Sequence, residues 1–179
     1  MKRPRFWTGS TITALQPNQV FVFGSNPQGR HGAGAAKAAL QFGAQYGVGR
    51  GLVGQTYALV TKNLKAGFTE KSTGITYSQE GYQSVSLAQI AQNVDELYET
   101  ARARPDLLFI VTYKNETTPQ GLPKKSLNGY TGEQMWDVFT VNKTVPANIV
   151  FHESFKPLYA AQCTPQNGAT GNPPTSPKP

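Results

Sequence analysis

The chain has 179 residues, 38% of them hydrophobic and 15% charged, and a formal net charge of +7. This length predicts one domain with a tail. The single cysteine, Cys163, excludes an intramolecular disulfide and a cysteine-based zinc site, and the two histidines are far apart, so we predict neither a metal nor a cofactor. No segment is long and apolar enough to cross a membrane, and the basic N-terminus lacks the apolar run of a signal peptide, which predicts a cytoplasmic protein without a membrane partner.

The first predicted core strand begins at Gln19, after a lead-in that is irregular or contains a short strand or turn at residues 8–14. Residues 20–23 are β-branched or aromatic without alternation, which is typical of a strand covered on both faces. Four glycines then fall within residues 24–34, and this density indicates either unusual backbone dihedral angles or a close approach of the backbone to another group. From Gly34 small apolar residues recur with helical spacing, which predicts a helix lying close to the sheet. A loop that opens a helix favours an anion, most often a phosphate.

The glycine pattern fits neither standard nucleotide motif. A P-loop requires lysine and serine or threonine where Ala35 and Ala36 follow Gly34. A dinucleotide fingerprint beginning at Gly32 would place Lys37 where its third glycine belongs. The sequence therefore does not support an NTPase or a dehydrogenase, and a turn whose glycines only reverse the chain remains an alternative.

Predicted strands and helices alternate along the rest of the chain. Strands are predicted at 56–61, 107–112 and 148–151. Helices are predicted to begin after Ser86 and Thr131, each of which opens a capping box. Two polar loops, 63–85 and 113–130, are long for a compact domain and are typical of functional segments. The order predicts a single α/β domain over residues 1–156, and the Pro-, Gly- and Asn-rich residues 157–179 predict a disordered tail.

Ligands of parallel sheets lie beyond the carboxyl ends of the strands. In the predicted sheet this edge carries the 24–34 loop, Lys62 and the 113–130 loop. Three segments with glycines or cations are therefore expected to converge there.

Five segments of the chain, 22–36, 57–62, 110–112, 129–134 and 148–155, follow a pattern that resembles a macro-domain-like family of phage and bacterial proteins. The resemblance covers most of residues 19–155. It implies a macro-type three-layer α/β/α sandwich with a mostly parallel central sheet. It also implies binding of ADP-ribose or a related adenine nucleotide or an ADP-ribosylated substrate, and a location in the host cytoplasm if the protein is encoded by a phage.

The resemblance implies that Asn26, with Gly32 and Gly34, holds the distal ribose, and that Gly129 and Tyr130 belong to a second loop around the diphosphate. The predicted ligand-binding residues are Gly24, Ser25, Asn26, Arg30, His31, Gly32, Ala33, Gly34, Lys62, Gly129 and Tyr130. Some macro domains hydrolyse ADP-ribosyl bonds, and Lys62 and His31 are the candidates for such a catalytic role. The sequence leaves open whether the protein is an enzyme, and it leaves Asn26 the alternative of stabilising its own loop.

A second hypothesis treats the fold as a scaffold for a nucleic-acid-binding or virion-associated interaction protein. It rests on the net charge of +7 and on the Pro-rich tail. Most lysines and arginines are scattered along the sequence, so charge alone does not decide between a polyanion and a small anionic ligand.

Overall fold

The chain forms a mixed α/β structure around a six-stranded sheet in the computed structural model, which describes residues 4–163. The sheet contains β1 (Arg5–Trp7), β2 (Gln19–Ser25), β3 (Gly51–Val53), β4 (Thr56–Val60), β7 (Leu108–Val111) and β8 (Ile149–His152), and β5 (Phe68–Thr69) and β6 (Thr76–Tyr77) form a separate hairpin. The α-helices are α1 (Gly34–Ala39), α2 (Leu87–Ala103), α3 (Gly132–Thr140) and α4 (Lys156–Cys163). Short 3₁₀ helices follow α1 at Leu40–Phe42 and β8 at Glu153–Phe155.

The order of the main sheet is β1-β8-β7-β2-β4-β3, and only the edge pair β3–β4 is antiparallel. The prediction of an α/β fold with a mostly parallel sheet is therefore confirmed. The central strand, β2, lies between β7 and β4.

Helices pack against both faces of the sheet, and β2 shows why its sequence does not alternate. Val20 and Val22 belong to a core cluster shared with α2 and α3. Phe21 and Phe23 belong to a second cluster with the alanines of α1. Both faces of this strand are thus buried, as the unbroken apolar run predicts.

Three elements differ from the sequence prediction. β1 lies in the predicted lead-in and pairs with β8 at one edge, and β3 lies in the glycine-rich stretch before β4. Residues 157–163 of the predicted tail belong to α4, where the ring of Tyr159 lies 6.0 Å from that of Phe6. Residues 164–179, the remainder of that tail, lie outside the described residues. Short segments such as these take their structure from packing partners more than from their own propensity.

The 63–85 loop is anchored to the domain by a buried ion pair. Arg50 Nε and Nη2 each donate a hydrogen bond of 2.9 Å to the Glu70 carboxylate, and Tyr77 Oη donates to the same group at 2.7 Å. Arg50 Nη1 also donates to Glu96 of α2 at 2.8 Å. The side chains of Arg50 and Glu70 are only 15% and 6% exposed. The loop is thereby tied to the residue that precedes β3 and to α2.

This ion pair predicts acid sensitivity. Burial raises the pKa of Glu70, but hydrogen bonds from Arg50 and Tyr77 outweigh it and lower the pKa below its ordinary 4.5. As pH falls, the Glu70 carboxylate is therefore protonated in the unfolded chain before it is protonated in the folded protein. The stabilisation from the ion pair is complete above the ordinary pKa of Glu70 and is lost as pH falls through its lower pKa in the folded protein. We expect the free energy of unfolding of Glu70→Gln to fall less than that of the wild type as pH drops below 4.5, as measured by urea titrations. Equal losses in the two proteins would contradict this assignment.

Candidate functional site

A cavity of about 760 Å³ lies at the carboxyl edge of the sheet, where β2, β4 and β7 end. Three chain segments contribute its lining, as the parallel topology predicts. The lining residues are Gly24, Ser25, Asn26, Arg30, Gly32, Ala33, Gly34, Ala35, Ala36, Thr61, Lys62, Leu64, Thr112, Tyr113, Lys114, Glu116, Lys124, Lys125, Ser126, Leu127 and Asn128.

Most of the ligand-binding residues predicted from the sequence meet in this cavity. Those among its lining residues are Gly24, Ser25, Asn26, Arg30, Gly32, Ala33, Gly34 and Lys62. His31, Gly129 and Tyr130 are not among them. Of the two candidates for catalysis, the structure therefore brings Lys62 to the cavity and leaves His31 outside it.

Asn26 holds the shape of the glycine loop from within. Its Oδ1 accepts a hydrogen bond of 2.9 Å from Arg30 N, and its Nδ2 donates one of 2.7 Å to Arg30 O. An asparagine amide has two N–H donors and two lone pairs on its oxygen. One donor and one lone pair of Asn26 therefore remain for a ligand, so the loop-stabilising role and a contact with a ligand are compatible.

His31 is fully buried and joins two glycine-rich segments. Its Nε2 lies 3.0 Å from Gln45 O and 3.1 Å from Val48 O. Because both partners are carbonyl oxygens, Nε2 carries a proton and donates. Nδ1 is buried and has no hydrogen-bond partner among residues 4–163. In this position the ring supports the loop from behind.

The stretch 43–54, to which the sequence assigned no function, supports the glycine loop along its length. Gly47 N donates to Gly29 O at 2.9 Å. A Cβ added at Gly49 would overlap the carbonyl oxygen of Asn26, and one at Gly29 would overlap the backbone of Gly47. The density of glycines was the signal in the sequence, and their role is a close approach between two backbones.

Replacing Gly49 with alanine is expected to distort this support. The new methyl group displaces the Asn26 carbonyl, and overpacking of this kind typically costs about 1–3 kcal/mol. We expect this loss in urea unfolding. Gly32→Ala is the matched control, because a Cβ at that glycine meets no atom within 4 Å. Equal stability of the two variants would show that the loop accommodates the methyl group.

The inner wall of the cavity is a set of polar groups at strand ends that the sequence did not indicate. Thr61 Oγ1 and Tyr113 Oη lie 2.8 Å apart, and Asn128 Nδ2 donates to the same tyrosine at 3.4 Å. A Cβ at Gly24 would overlap the Tyr113 hydroxyl, so glycine is required for this approach. Burial raises the pKa of Tyr113 to about 12.

The charges around the cavity are strongly unequal. Glu116 is the only carboxylate among the described lining residues. Five cationic side chains line the cavity: Arg30, Lys62, Lys114, Lys124 and Lys125. Glu116 lies 3.2 Å from Lys124. Cations that are scattered along the sequence are therefore gathered by the fold around one concave surface, which favours an anionic ligand.

Comparisons with protein-family models, with curated proteins and with solved structures find no match for this chain. The family resemblance therefore rests on the motif residues alone. Within residues 4–163, no three histidine, cysteine, aspartate or glutamate side chains are grouped so that they could hold a metal ion. In the same part of the chain, no helix has the length and apolar character needed to span a bilayer.

Proposed function

We propose that this protein binds ADP-ribose or a related adenine nucleotide in the cavity at the carboxyl edge of its sheet. The observation that carries the proposal is the 24–34 loop lying against this cavity together with the cluster of cations. At Gly32 a Cβ would meet nothing within 4 Å, so the backbone of the loop is open to a ligand.

The dimensions and chemistry of the cavity suit a nucleotide. Its volume of about 760 Å³ lies in the range of small-molecule sites. Ammonium and guanidinium groups form charge-assisted hydrogen bonds with phosphates. Apolar side chains, among them Leu127 and the alanines of α1, line other parts of the cavity and suit a ribose or a base.

The macro-type sandwich implied by the family resemblance is part of the same proposal. Helices on both faces of a mostly parallel sheet support it. Asn26, Gly32 and Gly34 line the cavity, as a contact with the distal ribose would require. Gly129 and Tyr130 do not, and Tyr130 Oη instead donates to Val85 O at 2.7 Å. We therefore assign the second contact, with the diphosphate, to residues 124–128.

The lining favours binding over hydrolysis of an ADP-ribosyl bond. The described residues around the cavity include no histidine and no aspartate. Its carboxylate, Glu116, is already paired with Lys124. A general base must reach the proton that it removes and must be free to accept it, and the described lining residues include no imidazole and no unpaired carboxylate for this role.

Calorimetric titration with ADP-ribose, ADP and NAD at two salt concentrations tests the proposal. We expect micromolar binding of ADP-ribose, about −8 kcal/mol. Lys62→Gln should weaken it by at least about tenfold, because a hydrogen bond to a charged group contributes about 1.5–3 kcal/mol. Lys71→Gln makes the same change in charge at an exposed residue outside the cavity and should leave the affinity unchanged. Heat signals absent for all three ligands would overturn the proposal, and equal effects of the two lysine variants would remove Lys62 from the site.

A further inference from the structure

Charge is segregated across this molecule. The first 69 residues contain no aspartate or glutamate, whereas α2 alone carries Asp95, Glu96 and Glu99. The lining of the cavity draws two of its cations, Arg30 and Lys62, from that acid-free part of the chain. It draws the other three, Lys114, Lys124 and Lys125, from the 113–130 loop.

A free nucleotide would leave much of this charge unmatched. Five cations and one carboxylate give the lining a net charge of +4. Each backbone phosphate of a nucleic acid carries about one negative charge, so a diphosphate supplies only about two. The side chains of Arg30 and Lys125 make no hydrogen bond or ion pair within residues 4–163. These two groups are free to meet further phosphates, and a phosphate can also replace Glu116 as the partner of Lys124, because that ion pair is exposed.

An exposed tyrosine lies next to this charge. Tyr82 is 70% exposed, and Lys62 Nζ lies 5.4 Å from the centroid of its ring. The backbone beneath the ring is firmly held, since Gln83 N donates to Asn128 O at 2.7 Å and Gln83 Nε2 donates to Gly129 O at 3.2 Å. Gln83 also adopts a left-handed backbone φ of 58°. Residues other than glycine rarely take this conformation, and those that do are concentrated at functional sites.

A basic cavity beside an exposed aromatic ring suits single-stranded nucleic acid, because cations bind its phosphates and every base has a face that can stack. An acidic peptide or a lipid surface would also use the lysines, but a nucleic acid alone combines phosphates for the lysines with bases that stack on the ring. Lys62 Nζ lies over the Tyr82 ring and is also available to a phosphate.

We infer that the partner of this site is single-stranded nucleic acid. Its terminal nucleotide occupies the cavity, the phosphates that follow contact Lys124 and Lys125, and the next base stacks on Tyr82. The inference rests on the proposed function in that the cavity takes a nucleotide, and it goes further by assigning that nucleotide to the end of a strand.

The test uses a mixed-sequence single-stranded DNA of about 12 nucleotides with an internal fluorophore, read by anisotropy over a range of salt concentrations, beside calorimetry with ADP-ribose. For a strand that contacts four phosphates we expect a log–log salt slope of about −3, at about −0.7 per phosphate. The double variant Lys124→Gln/Lys125→Gln should make that slope shallower by about 1.4. Lys71→Gln, outside the cavity, should leave it unchanged.

The tyrosine is tested separately. Tyr82→Ala should weaken binding of the strand by about tenfold or more, and Tyr82→Phe should retain it, because phenylalanine keeps the stacking face. Neither change should alter the affinity for ADP-ribose, which has no second base beyond the cavity. An equal loss with Tyr82→Phe and Tyr82→Ala would overturn the stacking role.

Gly32→Glu shows whether the strand enters the cavity, since this change adds a carboxylate where a side chain meets no protein atom. Strand binding that survives Gly32→Glu lies elsewhere and overturns the inference. Binding of ADP-ribose with no binding of the strand at low salt also overturns it and leaves the proposed function intact. Strand binding that depends on Gly32 and Tyr82, without any affinity for ADP-ribose, contradicts the proposed function and supports the strand site.

Discussion

Arg50→Ala is expected to lower the free energy of unfolding by about 3–5 kcal/mol, because it leaves a buried carboxylate without its partner. The Glu70 side chain is 6% exposed, and both of its oxygens accept hydrogen bonds from the Arg50 guanidinium. Removing the guanidinium also removes the link from the 63–85 loop to Glu96. Urea unfolding at neutral pH, followed by circular dichroism, measures the loss.

The chain contains a matched control for this change. Arg104 and Asp106 form an ion pair with the same 2.9 Å separation, but their side chains are 47% and 61% exposed. Surface pairs contribute little to stability, so Arg104→Ala should leave the unfolding curve almost unchanged. The double variant Arg50→Met/Glu70→Leu should be more stable than Arg50→Ala alone, since it leaves no buried carboxylate unpaired and Glu96 is partly exposed. Equal losses from Arg50→Ala and Arg104→Ala would show that burial does not strengthen the pair.

Gly32→Glu is expected to abolish binding of ADP-ribose, with a loss of at least about 100-fold. The new side chain adds bulk and a negative charge at the proposed contact with the distal ribose. Like charges about 4 Å apart repel by about 4 kcal/mol near a protein surface, so the carboxylate also opposes an anionic ligand in the cavity. Gly32 has no left-handed φ and no atom within 4 Å of an added Cβ, so the fold should tolerate the change. Calorimetry measures the affinity, and thermal unfolding reports whether the domain is intact.

Two control variants separate the effect of the added charge at position 32 from the effect of added bulk there and from the effect of the same charge elsewhere. Gly32→Ala adds a methyl group without charge and should retain most of the affinity. Ser72→Glu adds the same charge at an exposed residue outside the cavity and should bind ADP-ribose as the wild type does. Full binding by Gly32→Glu would place the ligand away from the glycine loop and would contradict the proposed site.

The elements with a strong local pattern could be predicted from the sequence. The apolar residues of β2 require two covered faces, and the structure covers both. The side chains of Ser86 and Thr131 cap α2 and α3, accepting hydrogen bonds from Gln89 N and Gln134 N. The full capping box forms at Thr131, whereas Gln89 Nε2 of α2 donates to Asn93 Oδ1. In each case the physical cause lies within a few residues of the chain, so a short window of sequence contains it.

Part of the candidate site was predictable for a topological reason. Once strands and helices alternate, parallel strands bring the segments after β2, β4 and β7 to one edge, and Asn26, Lys62 and Tyr113 line one cavity there. The sequence did not predict which residues of the 24–34 loop line the cavity. Arg30 lines the cavity and its neighbour His31 is buried behind it, because the turn of the backbone directs adjacent side chains to opposite sides.

By itself, the sequence determined the fold class, the central strand, the two capped helices and the glycine loop, since local propensity and hydrophobic periodicity encode them. Only the tertiary structure decided how β1 pairs with β8, how residues 43–54 support the glycine loop, and how Arg50 meets Glu70. It also gathered five scattered cations around one cavity. These features depend on contacts between residues distant in the chain, and no local pattern of residue types specifies which distant partner a backbone or a charge will meet.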